Sequence, residues 1–478
     1  MKLNFNFLFT VSWVVILAGC TSYPDKMRSL KTQLSLDEDN DVPLTYRAEA
    51  QDGKNALLAL EEQGRLDQLQ GRYRESAESF LKAMDFCAKR DNGAIVSVSD
   101  TLKGSLASTY GNDLSLDYPV TAFDQMMLYT LDSFNRLALG EWDHFGVDMR
   151  NLETWRNESN EQIQRDIETL NAELGDKREK LTSDSAYKGL MEKEAQFVAG
   201  LKRSTDNAYA LYLIALYHEI IGDASNALKA YQDIERIKPG HPAVKAGMDR
   251  TKGSMLDANT GEVVVFFEEG FIPQKRDYRF QYGGLFTTVV IDLPYYSAFD
   301  SLPYEDGGPM VISGSAGGLV ATKLLCDLAP LAVKSHEERL RGIVARQVSR
   351  TSIKAITRGI FSGMALAGAY CLANGIGDDR GYTQTALLAV GIAGSIGMGI
   401  MAAATEQADL RSWLLLPRQV QIARFPMKEG KHELTLSSAG MRTAVTAEVK
   451  PGQKTIIYCT ALPNKKINAF SACTDKVK

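Results

Sequence analysis

The chain has 478 residues, with 54 lysines and arginines against 59 aspartates and glutamates, and its formal net charge is -5. This length is enough for two or more domains, and the ordinary composition is that of a globular protein. The weak acidic balance excludes the basic signature of a nucleic-acid-binding protein. With five histidines and no CxxC pair, the chain offers little to a Cys/His metal site, and no cofactor is predicted.

The first twenty residues have the pattern of an export signal. Lys2 is followed by the mostly apolar run 5–17 and then by Leu17-Ala18-Gly19-Cys20. This ending resembles the bacterial lipobox, which implies removal of residues 1–19 and a lipid on Cys20. The apolar run is short for a membrane-spanning helix, although an uncleaved N-terminal anchor is the alternative. Thr21 stands where an Asp would favour inner-membrane retention, so we expect an outer-membrane lipoprotein that faces the periplasm.

Residues 20–54 are predicted to comprise the lipidated cysteine and a flexible tether. The segment is polar, is bracketed by Pro24 and Pro43, and contains the acidic run 37–41. Such a composition favours an extended linker that lifts the folded part off the membrane.

Residues 55–255 have helical periodicity and two segments that look like tetratricopeptide repeats. The clearer segment has small residues, a turn, an aromatic residue and a proline at the spacing of that unit: Ala215, Gly222, Asp223, Ala227, Tyr231 and Pro239. The earlier segment has corresponding residues without the proline: Gly64, Gly71, Tyr73, Ser76, Phe80 and Ala83. A looser third copy centres on 139–142, and the charged segment 157–194 predicts a long helix. The alternative to tetratricopeptide repeats is a generic array of helical hairpins, which would have the same shape.

Residues 256–318 are predicted to form a β-containing middle region. The run 262–267 is typical of a buried strand, 286–293 predicts a second strand, and 310–312 a short third one. Helix is expected to return at about Leu319.

Residues 319–408 are predicted to be helical, with a basic face and a glycine-rich apolar hairpin. Four cations recur at every fourth residue and line one helix face: Arg346, Arg350, Lys354 and Arg358. They suit lipid phosphates or an acidic partner, or a solvated face that pairs with Glu337 and Glu338. The uncharged stretches 359–376 and 386–404 follow. Close-packing glycines suit a hairpin that enters a bilayer or assembles with copies of itself, but burial in the protein core is the favoured interpretation.

Residues 409–478 are predicted to form a small, sandwich-like β domain with strands at 420–425, 432–436, 443–449 and 455–459. Five cysteines follow Cys20, and an oxidising envelope permits their pairing. Cys459 and Cys473 flank a turn-rich stretch and are the predicted disulfide.

Several motifs together resemble a family of uncharacterised bacterial outer-membrane lipoproteins with tetratricopeptide-like repeats. They are Gly71-x-Tyr73-x-x-Ser76, Leu137-Ala138-Leu139-Gly140, Gly261-Glu262-Val263-Val264-Val265, Glu268-x-Gly270-x-x-Pro273, Val344-Ala345-Arg346-x-x-x-Arg350, the run 404–413 and Leu416-Pro417. The resemblance covers most of the mature chain. The family has no assigned reaction, and its members look like neighbours of other envelope lipoproteins, which implies a role in the envelope.

Two segments contain residue types that are used in catalytic or binding sites. Ser313-Gly314-Ser315-Ala316-Gly317 approaches the G-x-S-x-G elbow of hydrolases, with Asp409 and His432 later in the chain, but a serine replaces the first glycine of the elbow. A flexible glycine loop is therefore the favoured interpretation. The run 409–413 is either a binding patch or a charged pair that locks a junction.

The sequence thus predicts an α+β multidomain lipoprotein without an enzymatic role. Its expected function is that of a protein-binding scaffold or adaptor that holds an envelope protein of unknown identity in the groove of its helical array. The alternatives are a membrane-active or self-assembling oligomer built on the glycine-rich hairpin and, more remotely, a serine hydrolase. A homo-oligomer is possible, and no nucleic-acid partner is expected.

Overall fold

Helices form the N-terminal part of the described chain and strands most of its C-terminal part, which confirms the α+β class. The computed structural model describes residues 23–36, 53–91, 113–174, 185–282, 289–296, 308–314, 318–373, 387–393, 395 and 407–474. The helices that precede the first strand are α1 (Tyr23–Leu36), α2 (Ala56–Leu69), α3 (Tyr73–Asp91), α4 (Ala122–Leu139), α5 (Trp142–Leu174), α6 (Ser185–Phe197), α7 (Ala208–Ile220), α8 (Ala224–Ile237) and α9 (Pro242–Thr251).

Three pairs of these helices form hairpins: α2 with α3, α4 with α5, and α7 with α8. Each turn contains a glycine with positive φ, namely Gly71 (74°), Gly140 (71°) and Gly222 (80°). A residue with a Cβ is strained in this conformation, so these glycines mark where one helix ends and the next begins. All three hairpins lie where the sequence predicts repeats.

Neighbouring helices of the array pack closely where a glycine of one helix contacts an aromatic ring of the other. A Cβ placed on Gly64 would lie 2.5 Å from two ring carbons of Phe80, and one placed on Gly247 would lie 2.3 Å from Tyr231. Both aromatic side chains are fully buried. The long helix predicted over 157–194 is described as two helices: α5 has 33 residues and ends at Leu174, and α6 begins at Ser185.

The predicted flexible tether contains a helix that packs on the folded body. Helix α1 buries Met27, Leu30 and Leu34, which lie at helical spacing and pack against Leu66 of α2 and Leu414. The expectation of a tether is therefore wrong for 23–36, because this segment has an apolar stripe with a place to be buried. Residues 37–52 lie outside the described part of the chain.

The strands of the described chain belong to three sheets. They are β1 (Thr260–Glu269), β2 (Lys275–Tyr282), β3 (Val289–Tyr296), β4 (Val311–Gly314), β5 (Leu319–Ala321), β6 (Lys323–Asp327), β7 (Gln419–Lys428), β8 (Gly430–Ser438), β9 (Met441–Val449), β10 (Lys454–Ala461) and β11 (Ile467–Cys473). The five-stranded sheet has the order β11-β10-β1-β7-β6, the four-stranded sheet has the order β5-β4-β8-β9, and β2 pairs with β3. Strand β1 runs parallel to β10 and antiparallel to β7.

Strand β1 is covered on both faces. Val263, Val265 and Phe267 pack against the four-stranded sheet, whereas Val264 and Phe266 pack against the helices. All five side chains are fully buried. Since successive side chains of a strand point to opposite faces, a continuous apolar run is what a strand between two layers requires. The described chain therefore stacks helices, the five-stranded sheet and the four-stranded sheet in that order.

The middle region and the C-terminal segment share both of these sheets. Strand β1 lies between β7 and β10, and β4 pairs with β8. The expectation of a separate C-terminal β domain from residue 409 must be corrected, because the backbone of β1 is hydrogen-bonded to β7 and β10 and that of β4 to β8. The four C-terminal strands lie near their predicted positions, and β11 is an additional one.

Helix returns later than predicted. Leu319 begins β5, and the segment up to Asp327 is β-structure. The following helix, α10, runs over Leu328–Ala373 and has 46 residues. Strand β6 is paired with β7 at the sheet edge, and this non-local pairing overrides the local helical pattern.

The predicted disulfide between Cys459 and Cys473 is wrong. In the ladder of β10 with β11, Cys459 lies opposite Ala469, and Cys473 lies opposite Thr455. The two cysteines are thus four positions apart along the strands, which corresponds to roughly 13 Å and exceeds the reach of a disulfide.

Candidate functional site

The interface between the helical array and the five-stranded sheet contains a buried ion pair. The guanidinium of Arg65 on α2 lies 2.6 Å from the carboxylate of Glu268 on β1, and both side chains are at most 1% exposed. The hydroxyls of Tyr209 and Tyr458 each donate a hydrogen bond of 2.7 Å to the same carboxylate. Because burial of a charge is costly without such partners, the pair requires the helices and the sheet to dock in one register.

A second buried ion pair joins the same two layers further along the array. Arg424 on β7 is fully buried, and its guanidinium lies 2.7 Å from the carboxylate of Glu219 on α7 and also contacts Glu262 on β1. Lys454 contributes another cation at 2.8 Å from Glu219. The chain's own sheet therefore covers one side of the described array.

The first candidate site is the anchor junction, defined by Tyr23, Lys31, Glu62, Leu414 and Leu415. The Glu62 carboxylate on α2 accepts hydrogen bonds from the backbone N–H groups of Leu414 (2.6 Å) and Leu415 (3.1 Å) and from the Tyr23 hydroxyl. The ammonium of Lys31 lies 4.6 Å from the ring centroid of Phe271. The junction fixes the start of α1, three residues after Cys20, to the body of the protein.

Burial controls the ionisation of the anchor junction. Burial raises the pKa of Glu62 to about 7, against the opposing effect of its hydrogen bonds and of Lys31, and it lowers the pKa of Lys31 to about 8. The neighbouring Glu61 is fully buried, and neither carboxylate oxygen has a hydrogen-bond partner. Burial, together with the nearby carboxylates of Asp124 and Glu62, raises the pKa of Glu61 well above its usual range.

The hairpin base, defined by Asp292, Gln347 and Ala408, lies where α10 leaves the body. The side-chain amide of Gln347 donates a hydrogen bond of 2.6 Å to the carbonyl of Asp292. The Asp292 carboxylate accepts the backbone N–H of Ala408, where the chain returns from the glycine-rich region. The hairpin base thus ties together both ends of the segment 348–407.

The N-terminal part of α10 is held by contacts with two other segments and by one ion pair of its own. The His336 ring nitrogen lies 3.0 Å from the carbonyl of Pro294, and burial lowers the pKa of this histidine to about 3. The Glu338 carboxylate accepts hydrogen bonds from the hydroxyl (2.6 Å) and the backbone N–H (2.8 Å) of Ser204. Lys334 contacts Glu337 at 2.9 Å. These contacts fix the direction in which α10 leaves the body.

The glycine-rich hairpin exposes apolar side chains. Its described residues are 359–373 and 387–395 except 394, and the hydroxyls of Ser362 and Ser395 lie 2.9 Å apart across it. Ile360, Leu366 and Val390 are 60%, 64% and 50% exposed. Burial in the protein core is therefore wrong for these side chains. Among the described residues, no helix combines enough length with enough apolar character to cross a membrane.

The other predicted contact residues are only partly described. Cys20 lies outside the described residues, as do the side chains of Arg346, Arg350 and Lys354, although their backbone belongs to α10. Arg358 is half-buried. The basic row therefore remains a prediction from spacing.

The run 409–413 forms a junction between distant segments. The Arg411 guanidinium binds the Asp409 carboxylate (2.8 Å), the Asn55 side-chain oxygen (2.8 Å) and the carbonyl of Leu116 (3.1 Å). Trp413 is buried with its ring edge-on to Phe80, at 5.8 Å between centroids. Of the two interpretations of this run, the locked junction describes these contacts.

The hydrolase candidates are not brought into hydrogen-bond contact within the described residues. Ser315 lies outside them. Asp409 is bonded to Arg411, and the ring of His432 contacts the carbonyl of Lys428 at 2.8 Å in the exposed β7–β8 hairpin. Within the same residues, no group of three or more His, Cys, Asp or Glu side chains is placed to hold a metal ion.

The anchor junction is the feature that sequence analysis missed. Glu62 is unremarkable in the sequence because its partners Leu414 and Leu415 are more than 350 positions away. The available signal was local: Met27, Leu30 and Leu34 have helical spacing, and Pro24 suits the first turn of a helix.

Fold and site together define an α+β protein in which a helical array and two stacked sheets carry a projecting apolar hairpin. Comparison of the chain with protein-family models, curated proteins and solved structures finds no match.

Proposed function

We propose that the protein is an outer-membrane lipoprotein that acts as a membrane-bound scaffold facing the periplasm. The observation that carries the proposal is the docked helix α1. Tyr23 is held by Glu62 and stands only three positions after Cys20, the predicted lipid site. Three extended residues span roughly 10 Å, so a lipid on Cys20 would hold the body directly against the bilayer.

A scaffolding role is supported by the rigid connection between array and sheet. The three helical hairpins have the glycine and aromatic spacing of tetratricopeptide-like repeats, and buried ion pairs such as Arg65 with Glu268 join them to β1. Since the sheet covers one side of the array, we assign the binding of an envelope protein to the outer helices. Leu81 on α3 and Ile221, in the turn that follows α7, are exposed apolar residues of the array, at 52% and 44%.

The lipid anchor is tested by growth of cells on labelled palmitate. The full chain is expected to incorporate label and to fractionate with the outer membrane, and Cys20→Ser is expected to lose both properties. Incorporation of label into the Cys20→Ser variant, or a wild-type chain recovered without label, would refute the lipid anchor.

The docking of α1 is tested by trypsin digestion of a lipid-free chain that begins at Thr21. Because Lys26, Arg28 and Lys31 lie in a docked helix, cleavage there is expected to be slow. Leu30→Ala removes a buried contact and should accelerate cleavage, whereas Leu36→Ala, at a side chain that is 74% exposed, should not. Equal cleavage rates in the three proteins would contradict the docked helix.

The scaffold is tested by a photo-crosslinking amino acid introduced at position 81 or 221 in living cells. We expect one discrete adduct with another envelope protein from these outer positions. A position away from the array, such as the exposed Thr446 of β9, serves as the control that should yield no adduct with another chain. Failure of positions 81 and 221 to yield such an adduct contradicts the assigned binding surface.

A further inference from the structure

The described part of the glycine-rich hairpin presents bulky apolar side chains to solvent on both of its helices. Ile360 and Leu366 of α10 and Val390 of the second helix are each at least 50% exposed. Single exposed apolar residues are normal on soluble proteins, but several on one projecting element mark an interaction surface. Residues 348–373 of α10 extend about 39 Å beyond Gln347 at the rise of an α-helix.

The charge pattern along the hairpin matches a lipid bilayer. The stretches 359–376 and 386–404 contain no charged residue. The cations Arg346, Arg350, Lys354 and Arg358 precede them directly at a spacing of four residues. Cations beside an uncharged, apolar segment suit lipid phosphates above acyl chains, whereas a soluble protein partner would be met by an interface with a polar rim.

The hairpin base lies close to the anchor junction along the chain. Ala408 is bonded to Asp292 at the hairpin base, and Leu414 is bonded to Glu62 at the anchor junction. Leu414 stands six positions after Ala408, and this length of chain spans at most roughly 21 Å. The hairpin is therefore long enough to reach the bilayer that holds the lipid on Cys20.

We propose that the hairpin buries its apolar side chains in the phospholipid bilayer to which Cys20 is anchored. The inference rests on the proposed lipid anchor for the location of the bilayer. The occupant of the exposed surface is phospholipid, with acyl chains against residues such as Leu366 and phosphates against Arg358. The protein thus has a second contact with the membrane besides its lipid.

Flotation with vesicles tests the proposal in the absence of the lipid anchor. A lipid-free chain that begins at Thr21 keeps every described residue and is mixed with phosphatidylcholine vesicles, with or without phosphatidylglycerol. The chain is expected to float with both vesicles and to bind those with the anionic lipid more tightly. The triple variant Ile360→Asn, Leu366→Asn and Val390→Asn should lose at least about tenfold in vesicle affinity.

A matched variant separates a specific loss from a general loss of apolar surface. Val147→Asn, Met255→Asn and Leu319→Asn alter three exposed apolar residues outside the hairpin and should leave flotation unchanged. All six positions are exposed, so neither variant is expected to unfold, and circular dichroism verifies this.

Three results would overturn the proposal. The first is flotation of the hairpin triple variant to the same extent as the wild type. The second is vesicle binding that the triple variant retains and that salt abolishes, which would mean that the protein adsorbs to the vesicles by charge alone. The third is a wild type that fails to float but forms an oligomer in the absence of vesicles, while the triple variant forms no oligomer. This result would make a second copy of the chain the occupant of the exposed surface. Loss of palmitate labelling refutes only the anchor, because this flotation needs no lipid on Cys20.

Discussion

The buried pair between Arg65 and Glu268 allows a quantitative test of how the helices are joined to the sheet. Arg65→Met removes the guanidinium while preserving most of the apolar volume. It leaves the Glu268 carboxylate, which is 0% exposed, with only the hydroxyls of Tyr209 and Tyr458 as close partners. An uncompensated buried charge costs about 3–5 kcal/mol, so the free energy of unfolding should fall by that amount.

The double variant Arg65→Met with Glu268→Leu distinguishes this reasoning from a simple loss of packing. With both charges removed, the stranded carboxylate is gone, and the double variant should be more stable than Arg65→Met by about 1–3 kcal/mol. Arg236→Met is the control because Arg236 is 59% exposed beside Asp233, and an exposed pair of this kind is worth about 0–1 kcal/mol. Urea unfolding followed by circular dichroism measures all four proteins.

Two outcomes would refute this account of the interface. If Arg65→Met costs no more than Arg236→Met, the buried pair does not hold the layers in register. If the double variant is less stable than Arg65→Met, the cost arises from lost contacts of the side chains and not from an unpaired charge.

Three further predictions concern stability. Gly64→Ala places a Cβ 2.5 Å from the Phe80 ring, and thermal unfolding should show a loss of about 1–3 kcal/mol unless the ring moves without cost. Gly140→Ala strains a residue with φ of 71° and should cost about 1 kcal/mol in the same assay, whereas an unchanged melting temperature would contradict the left-handed cap. Burial raises the pKa of Asp148 from 3.8 to about 8, with Asp132 adding to the effect, and that of Glu62 from 4.5 to about 7. Because both pKa values are raised in the folded state, the two carboxyl groups contribute to the free energy of unfolding, and this contribution is fully present below about pH 4. It is lost as pH rises through 7 to 8, by at most about 1.4 kcal/mol per pH unit for each group. Denaturant titrations from pH 5 to pH 9 should show this decline, and Asp148→Asn should flatten it.

Local patterns were sufficient wherever a segment is stabilised mainly by its own neighbours. The turn glycines Gly71, Gly140 and Gly222 indicated all three helical hairpins, since the left-handed conformation is a property of the residue itself. The apolar run of β1 indicated a strand covered on both faces because alternation is absent when both faces are buried.

The same local patterns failed where non-local pairing decides the structure. Leu319 begins a strand and not the expected helix, since β4 and β7 provide edges for β5 and β6. The disulfide prediction relied on a turn between Cys459 and Cys473, but the register of β10 with β11 sets their separation. Spacing along the chain contains no information about that register.

The sequence by itself determined the class of the protein, the helical hairpins, the strand between two layers and the uncharged character of the hairpin, because each follows from residue type and period. Only the tertiary structure decided that α1 is docked and that the hairpin is exposed. Both depend on contacts between distant positions, such as Glu62 with Leu414 and Asp292 with Gln347 and Ala408. An apolar segment has the same sequence whether it lies in a core or projects from one. Its neighbours in space determine which of the two it does.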